Sequence, residues 1–119
     1  MEIVTKRVYE PAAKADGYRV LVDRLWPRGV SRQRAAIALW AKELTPSTEL
    51  RTWFAHRPER FAEFARRYRQ ELADREAIAS ELVAAAEPFA RLTLVYAARD
   101  NQCNHAQVLK DWLLTTRSR

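Results

Sequence analysis

A chain of 119 residues, 48% hydrophobic and 30% charged, is expected to form one soluble globular domain spanning 1–119. No apolar run approaches the roughly 18 residues of a membrane-spanning helix, and the start M-E-I-V-T-K-R lacks a signal peptide's apolar stretch, so a cytoplasmic location is expected. One cysteine excludes an internal disulfide, two histidines and that cysteine follow no metal-ligand spacing, and a net charge of +6 favours anionic partners.

Met1 to Glu10 carries Ile3, Val4, Thr5 and Val8 with Lys6 and Arg7 among them, a strand whose charges suit a sheet edge. Glu10 to Gly17 is a loop closed by the turn signal Asp16-Gly17. Tyr18 to Asp23 reads as a second, buried strand. Leu25 to Ser31 is irregular, because Pro27 biases Trp26 away from the helical region and Gly29 permits a turn. Ser31 caps a short helix over Arg32 to Ala36. Ile37 to Leu44 suits either a strand or a continued helix; the strand is preferred, with Ile37, Leu39 and Ala41 on one face.

Pro46 or Ser47 starts a helix with Leu50, Trp53 and Phe54 on one side, stopping near His56-Arg57-Pro58. A longer helix runs from Pro58, with Phe61, Phe64, Ala65, Tyr68 and Leu72 on its apolar face. A third, Arg75 to Ala86, is built on Ile78, Leu82 and Ala85 or Ala86. Leu92 to Ala98 is nearly continuous in apolar residues, as in a parallel strand covered on both faces. A polar loop, Arg99 to Asn104, leads into a last helix, Asn104 to Thr115, with Ala106, Leu109, Trp112 and Leu113 facing inward. The terminal T-R-S-R is expected to fray. The pattern predicts a three-layer α/β sandwich with a small, mostly parallel sheet. It is Rossmann-like but lacks a dinucleotide fingerprint: two glycines cannot supply that motif, a Walker loop or a nucleophile elbow.

Chemistry is expected where buried strands end, beyond the carboxyl edge of the sheet. One such exit holds Asp23, Arg24, Trp26 and Arg28. Charges there are costly unless paired or used. The other holds Arg99, Asp100, Asn101, Asn104 and His105 and runs into a helix N-terminus, where free N–H groups and the helix dipole favour an anion. If the two strands are neighbours, Arg24 and Arg28 bind the anion, Asp23 orients them, Trp26 walls the pocket, and Asn104 and His105 contribute from the helix. His105 is the one candidate general acid or base. The blander alternative is an Asp23–Arg24–Arg28 ion-pair network that pins the loop. His56 reads as a cap or packing residue. Cys103 has no further arginine-bearing loop after it to support a nucleophile.

Three segments, D-G-Y-R-V-L-V-D-R-L-W-P-R-G at 16–29, T-P-S-T-E-L-R-T-W-F at 45–54 and L-V-Y-A-A-R-D-x-x-x-N-H-A at 94–106, resemble the uncharacterised bacterial family called domain of unknown function 488, in its short, YeaO-like branch. The resemblance covers nearly the whole chain. It implies a compact α/β fold in a cytoplasmic bacterial protein and brings no activity, substrate or catalytic residues. Longer members carry a Cys-His-Arg triplet after their last strand; here the similar position reads Asn104-His105-Ala106, with Cys103 one residue early. That departure counts against thiol chemistry and leaves the arginines of the first segment as anion binders.

The leading expectation is a pocket for a small phosphate- or carboxylate-bearing molecule at the carboxyl ends of the strands, with no cofactor and no metal. Two alternatives stay open: a nucleic-acid-binding module using the net charge, and a structural or interaction protein whose central stretch braces the fold.

Overall fold

The computed structural model describes residues 1–117. Four strands form one parallel sheet: β1 (Glu2–Arg7), β2 (Tyr18–Leu21), β3 (Leu39–Trp40) and β4 (Arg91–Tyr96), in the order β1-β4-β2-β3. The described α-helices are α1 (Arg32–Ala35), α2 (Thr48–Phe54), α3 (Phe61–Leu72), α4 (Glu76–Ala86) and α5 (His105–Arg117). The fold is α/β, with every strand pair parallel. No described helix is long and apolar enough to cross a membrane.

Strand alternation divides the core in two. Val20, Leu92, Leu94 and Tyr96 face one way and share a core with the inward sides of α2 to α5. Val95 faces the other way and packs with Val8, Val30 and Ala35, so this side is covered by α1 and the loop before it. The layers of the sandwich are therefore unequal. The thick layer is held by an aromatic series: Phe54 of α2 stacks on Phe64 of α3 at 4.3 Å between ring centroids, and Phe64 meets Tyr68 at 5.8 Å. Tyr68 is fully buried, which raises the pKa of its phenol, and its hydroxyl donates to the Leu44 carbonyl.

The thin side instead carries a buried ionic knot. Arg19 alternates with Tyr18 and Val20 and so points to this face, where it donates to Asp16 Oδ2 at 2.6 Å and to the Ala35 carbonyl at 3.0 and 2.7 Å. Lys6 reaches the same carboxylate at 3.1 Å, and the Ala13 N–H donates to it at 2.9 Å. Burial alone would raise the Asp16 pKa; the bonds from Ala13, Lys6 and Arg19 outweigh it and hold the group below the ordinary carboxylate value. Asp16-Gly17 is thus more than a turn signal.

Local chemistry explains the element ends. Ser31 caps α1 by accepting from the Arg34 N–H at 3.0 Å, and Ser47 caps α2 by accepting from the Leu50 N–H at 3.1 Å. Pro58 opens a turn of 3₁₀ helix over Pro58–Arg60, and α3 begins after it. The segment 37–44 differs from the expected strand. Only Leu39 and Trp40 pair, at the sheet's far edge, and the chain then tightens into a 3₁₀ turn over Lys42–Leu44. An edge strand has a partner on one side only, so nothing holds the ladder once Ala41 has bonded to the Leu21 carbonyl. The last helix reaches Arg117, so Thr116 and Arg117 are helical; Ser118 and Arg119, the rest of the end expected to fray, lie outside the described residues.

Candidate functional site

β2 and β4 are neighbours in parallel register, Leu21 opposite Val95, so their exits lie side by side at the carboxyl edge. One carboxylate ties the exits together. Asp23, just past β2, accepts the Ala97 N–H at 3.0 Å through Oδ2 and meets His105 Nε2 at 2.8 Å through Oδ1. An ionised carboxylate offers only lone pairs, so Nε2 carries the proton and Nδ1 is left for another partner. His105 is the first residue of α5, and its side chain and that of Asp23 are 17% and 16% exposed. The Trp40 indole donates to the Asp23 carbonyl at 2.7 Å, fixing the backbone of the same residue.

The loop between β4 and α5 organises itself. Asp100 Oδ1 accepts the N–H groups of Gln102 and Cys103, both at 2.9 Å, and these two bonds hold its pKa below the ordinary carboxylate value. Asn104 caps α5, its Oδ1 accepting from the Gln107 N–H at 3.1 Å and its Nδ2 donating to the Asp100 carbonyl at 2.8 Å. From behind, Arg7 at the end of β1 donates through Nε to the Ala98 carbonyl at 2.9 Å and through Nη2 to the Ala97 carbonyl at 3.3 Å.

These exits and α2 enclose a cavity of about 720 Å³, within the size range of small-molecule sites. Its polar lining includes Arg24, Arg51, Arg99, Asp100, Asn104 and His105. Its apolar lining includes Leu25, Pro46, Phe54, Phe64 and Ala98. Among the described residues, no hydrogen bond, ion pair or ring contact engages the guanidinium of Arg24, Arg51 or Arg99.

Of the residues expected from sequence, the cavity brings together Asp23, Arg24, Asn104 and His105, whereas Trp26 and Arg28 do not line it. Trp26 donates its indole N–H to the Val30 carbonyl at 2.7 Å and meets the Trp40 ring edge-on at 5.5 Å, bracing the loop. Arg28 is exposed, and its carbonyl accepts from the Tyr9 hydroxyl at 3.1 Å. The Asp23 oxygens bond to His105 and Ala97, and no ion pair joins Asp23 to Arg24 or Arg28 among the described residues.

The family model that matches residues 2–119 is described as the inactive DUF488-N3 subclade. The chain belongs to the DUF488 family. It is similar to the uncharacterized protein YeaO of Escherichia coli, with 49% identity over 95% of this chain and 97% of that protein. It is also similar to the uncharacterized proteins Rv3073c of Mycobacterium tuberculosis and Mb3100c of Mycobacterium bovis, with 44% identity to each over 90% of this chain and 89% of theirs. No solved structure matched it.

In this DUF488 chain the residue that sequence reasoning missed is Arg51. The signal was present: Thr48, Arg51 and Thr52 stand at i, i+3 and i+4 on α2, a polar stripe beside the apolar one, and all three line the cavity. His56, expected to cap or pack, also lines it, held at φ 55° directly after Ala55 at φ 49°. Left-handed conformations at two successive non-glycine residues are costly, and such strain collects at functional sites.

Proposed function

We propose that this protein binds a small anionic molecule in the cavity beyond β2 and β4, with Arg24, Arg51 and Arg99 supplying the positive charge and the N-terminal turn of α5 adding its dipole. The observation that carries this reading is that three arginines whose guanidiniums have no partner among the described residues line one cavity. Asp23 holds the His105 ring in place at the start of α5. The description of the subclade as inactive, together with the absence of a Cys-His-Arg triplet, favours binding without turnover.

The nucleic-acid alternative is less well supported. On α3, Arg66 and Arg67 both pair with Glu63, at 2.6 and 2.8 Å, so that basic face is already part-neutralised.

The test is thermal shift of the purified protein against phosphate, sulfate, small carboxylates and short oligonucleotides, with Arg51→Ala, Arg99→Ala and, as a charge-matched control outside the cavity, Arg28→Ala. Small anions should raise the melting temperature of the parent and of Arg28→Ala and should lose that effect in the other two. An equal response in all four proteins would refute the site.

A further inference from the structure

The cavity is much larger than a bare oxyanion needs, and its lining is part polar and part apolar, which together specify the ligand's class. This inference rests on the anion-binding reading above and deepens it.

The head of the ligand follows from the polar lining. Each of the two carboxylates there already accepts two hydrogen bonds from the chain, Asp23 from Ala97 and His105 and Asp100 from Gln102 and Cys103. Among the described residues no ion pair joins either of them to an arginine of the lining, and none of the three guanidiniums has a partner. Three forked donors suit a tetrahedral group with three free oxygens better than a flat carboxylate with two. A phosphate monoester is a dianion near neutral pH, its second pKa being about 6.

The body of the ligand follows from the apolar lining. Phe54 and Phe64 belong to it, 5% and 1% exposed, with their rings stacked at 4.3 Å between centroids. Leu25, next to Arg24 in the chain, also lines the cavity and has 69% of its surface exposed, the most of the large hydrophobic residues described. The loop that carries it is held by Trp26 and Trp40, so its exposure is set by the braced backbone around it. A flat apolar group seated against Leu25 and these rings removes that side chain from water.

We propose that the ligand is a phosphate monoester with a flat apolar body, its phosphate on Arg24, Arg51 and Arg99 and its body against Leu25 and the Phe54–Phe64 pair.

Phenyl phosphate is the probe, titrated calorimetrically into the full-length protein beside inorganic phosphate and benzoate, and repeated with Leu25→Ser. The expected result is binding of phenyl phosphate at least about tenfold tighter than of either fragment. That advantage should be lost in Leu25→Ser while the response to inorganic phosphate is kept. Equal binding of phenyl phosphate and inorganic phosphate would overturn the apolar body and leave the anion site standing. Benzoate binding as tightly as phenyl phosphate would overturn the phosphate head, again leaving the anion site. Failure of all three to bind overturns this inference and the anion-binding reading together.

Discussion

His105 Nε2 and Asp23 Oδ1 lie 2.8 Å apart although 82 residues separate them, and the other oxygen of that carboxylate holds the Ala97 N–H. Asp23 thus fastens the exit of β2 to the exit of β4 and to the start of α5. Asp23→Ala leaves two donors without a partner in a half-buried site and is expected to destabilise the fold by about 1–3 kcal/mol. Asp23→Asn keeps one acceptor and should lose less. Urea denaturation of the three proteins checks this; an Asp23→Ala variant as stable as the parent would show that the tie does not matter.

The ionic knot on the thin face makes stability depend on acid. Asp16 titrates below its ordinary value in the folded state because Ala13, Lys6 and Arg19 donate to it. Its contribution is complete above the ordinary carboxylate value and fades as pH falls through that value and the lower folded one. Denaturation between pH 7 and pH 3 should show a loss of stability in acid that is smaller in Asp16→Asn. At neutral pH, Asp16→Ala strands the buried Arg19 and is expected to cost about 3–5 kcal/mol. A flat acid profile in the parent would contradict the assignment.

The two glycines should respond differently to alanine. Both have positive φ, 66° at Gly17 and 77° at Gly29. A Cβ on Gly17 would strike the Arg91 carbonyl at the start of β4, whereas one on Gly29 would meet nothing within 4 Å. Gly29→Ala carries only the left-handed strain, about 1–2 kcal/mol. Gly17→Ala adds a backbone collision and should be the worse by at least a further 1 kcal/mol or so. Melting temperatures of the pair decide it, and equal losses would mean that the turn before β2 shifts to make room.

Ala55 follows the last residue of α2 at φ 49°, a position that glycine takes at less steric cost. Ala55→Gly is expected to stabilise the protein by about 0.5–1 kcal/mol, a rise of several degrees in melting temperature. If relaxing this turn also lets His56 move, the thermal response to anions should fall in the same variant. A more stable protein with an unchanged anion response would separate the strain from the site.

Arg7 is expected to act on the cavity without lining it. Its guanidinium holds the Ala97 and Ala98 carbonyls, and Ala97 in turn holds Asp23. Arg7→Met should weaken anion binding severalfold and broaden the His105 ring signals in NMR spectra. An unchanged His105 environment would show that the exit of β4 is set without Arg7.

Much of the fold is legible because its elements repeat their period. Leu92 to Ala98 is nearly continuous in apolar residues and contains most of β4, which ends at Tyr96, and Phe61, Phe64, Tyr68 and Leu72 recur at helical spacing and lie on one helix, α3. The segment 37–44 was not legible, because an edge strand pairs on one side and two residues of ladder leave no period to read. The site was legible to the extent that it depends on where strands end, which brought in Asp23, Arg24, Asn104 and His105. Which residue Asp23 binds depends on β2 and β4 being neighbours, and no local pattern encodes that. Arg28 and Trp26 share a short loop with Arg24, yet Pro27 and Gly29 turn that loop so that only Arg24 and Leu25 reach the cavity. Arg19 gave a sign that went unread: an arginine inside an otherwise apolar strand must find an anion, and Asp16 is the nearest one.

The order of the strands bears on how the chain is made. β4 lies between β1 and β2, yet it is the last strand in the sequence, beginning at Arg91. While a ribosome is still synthesising the first ninety residues, β1 has no neighbour at all, and β2 has only the two-residue β3. Closing the sheet therefore waits for β4 and for contacts about ninety residues apart, which makes assembly slow. A nascent chain halted before Arg91 exposes strand edges that the finished protein covers, and it is the form most in need of a chaperone.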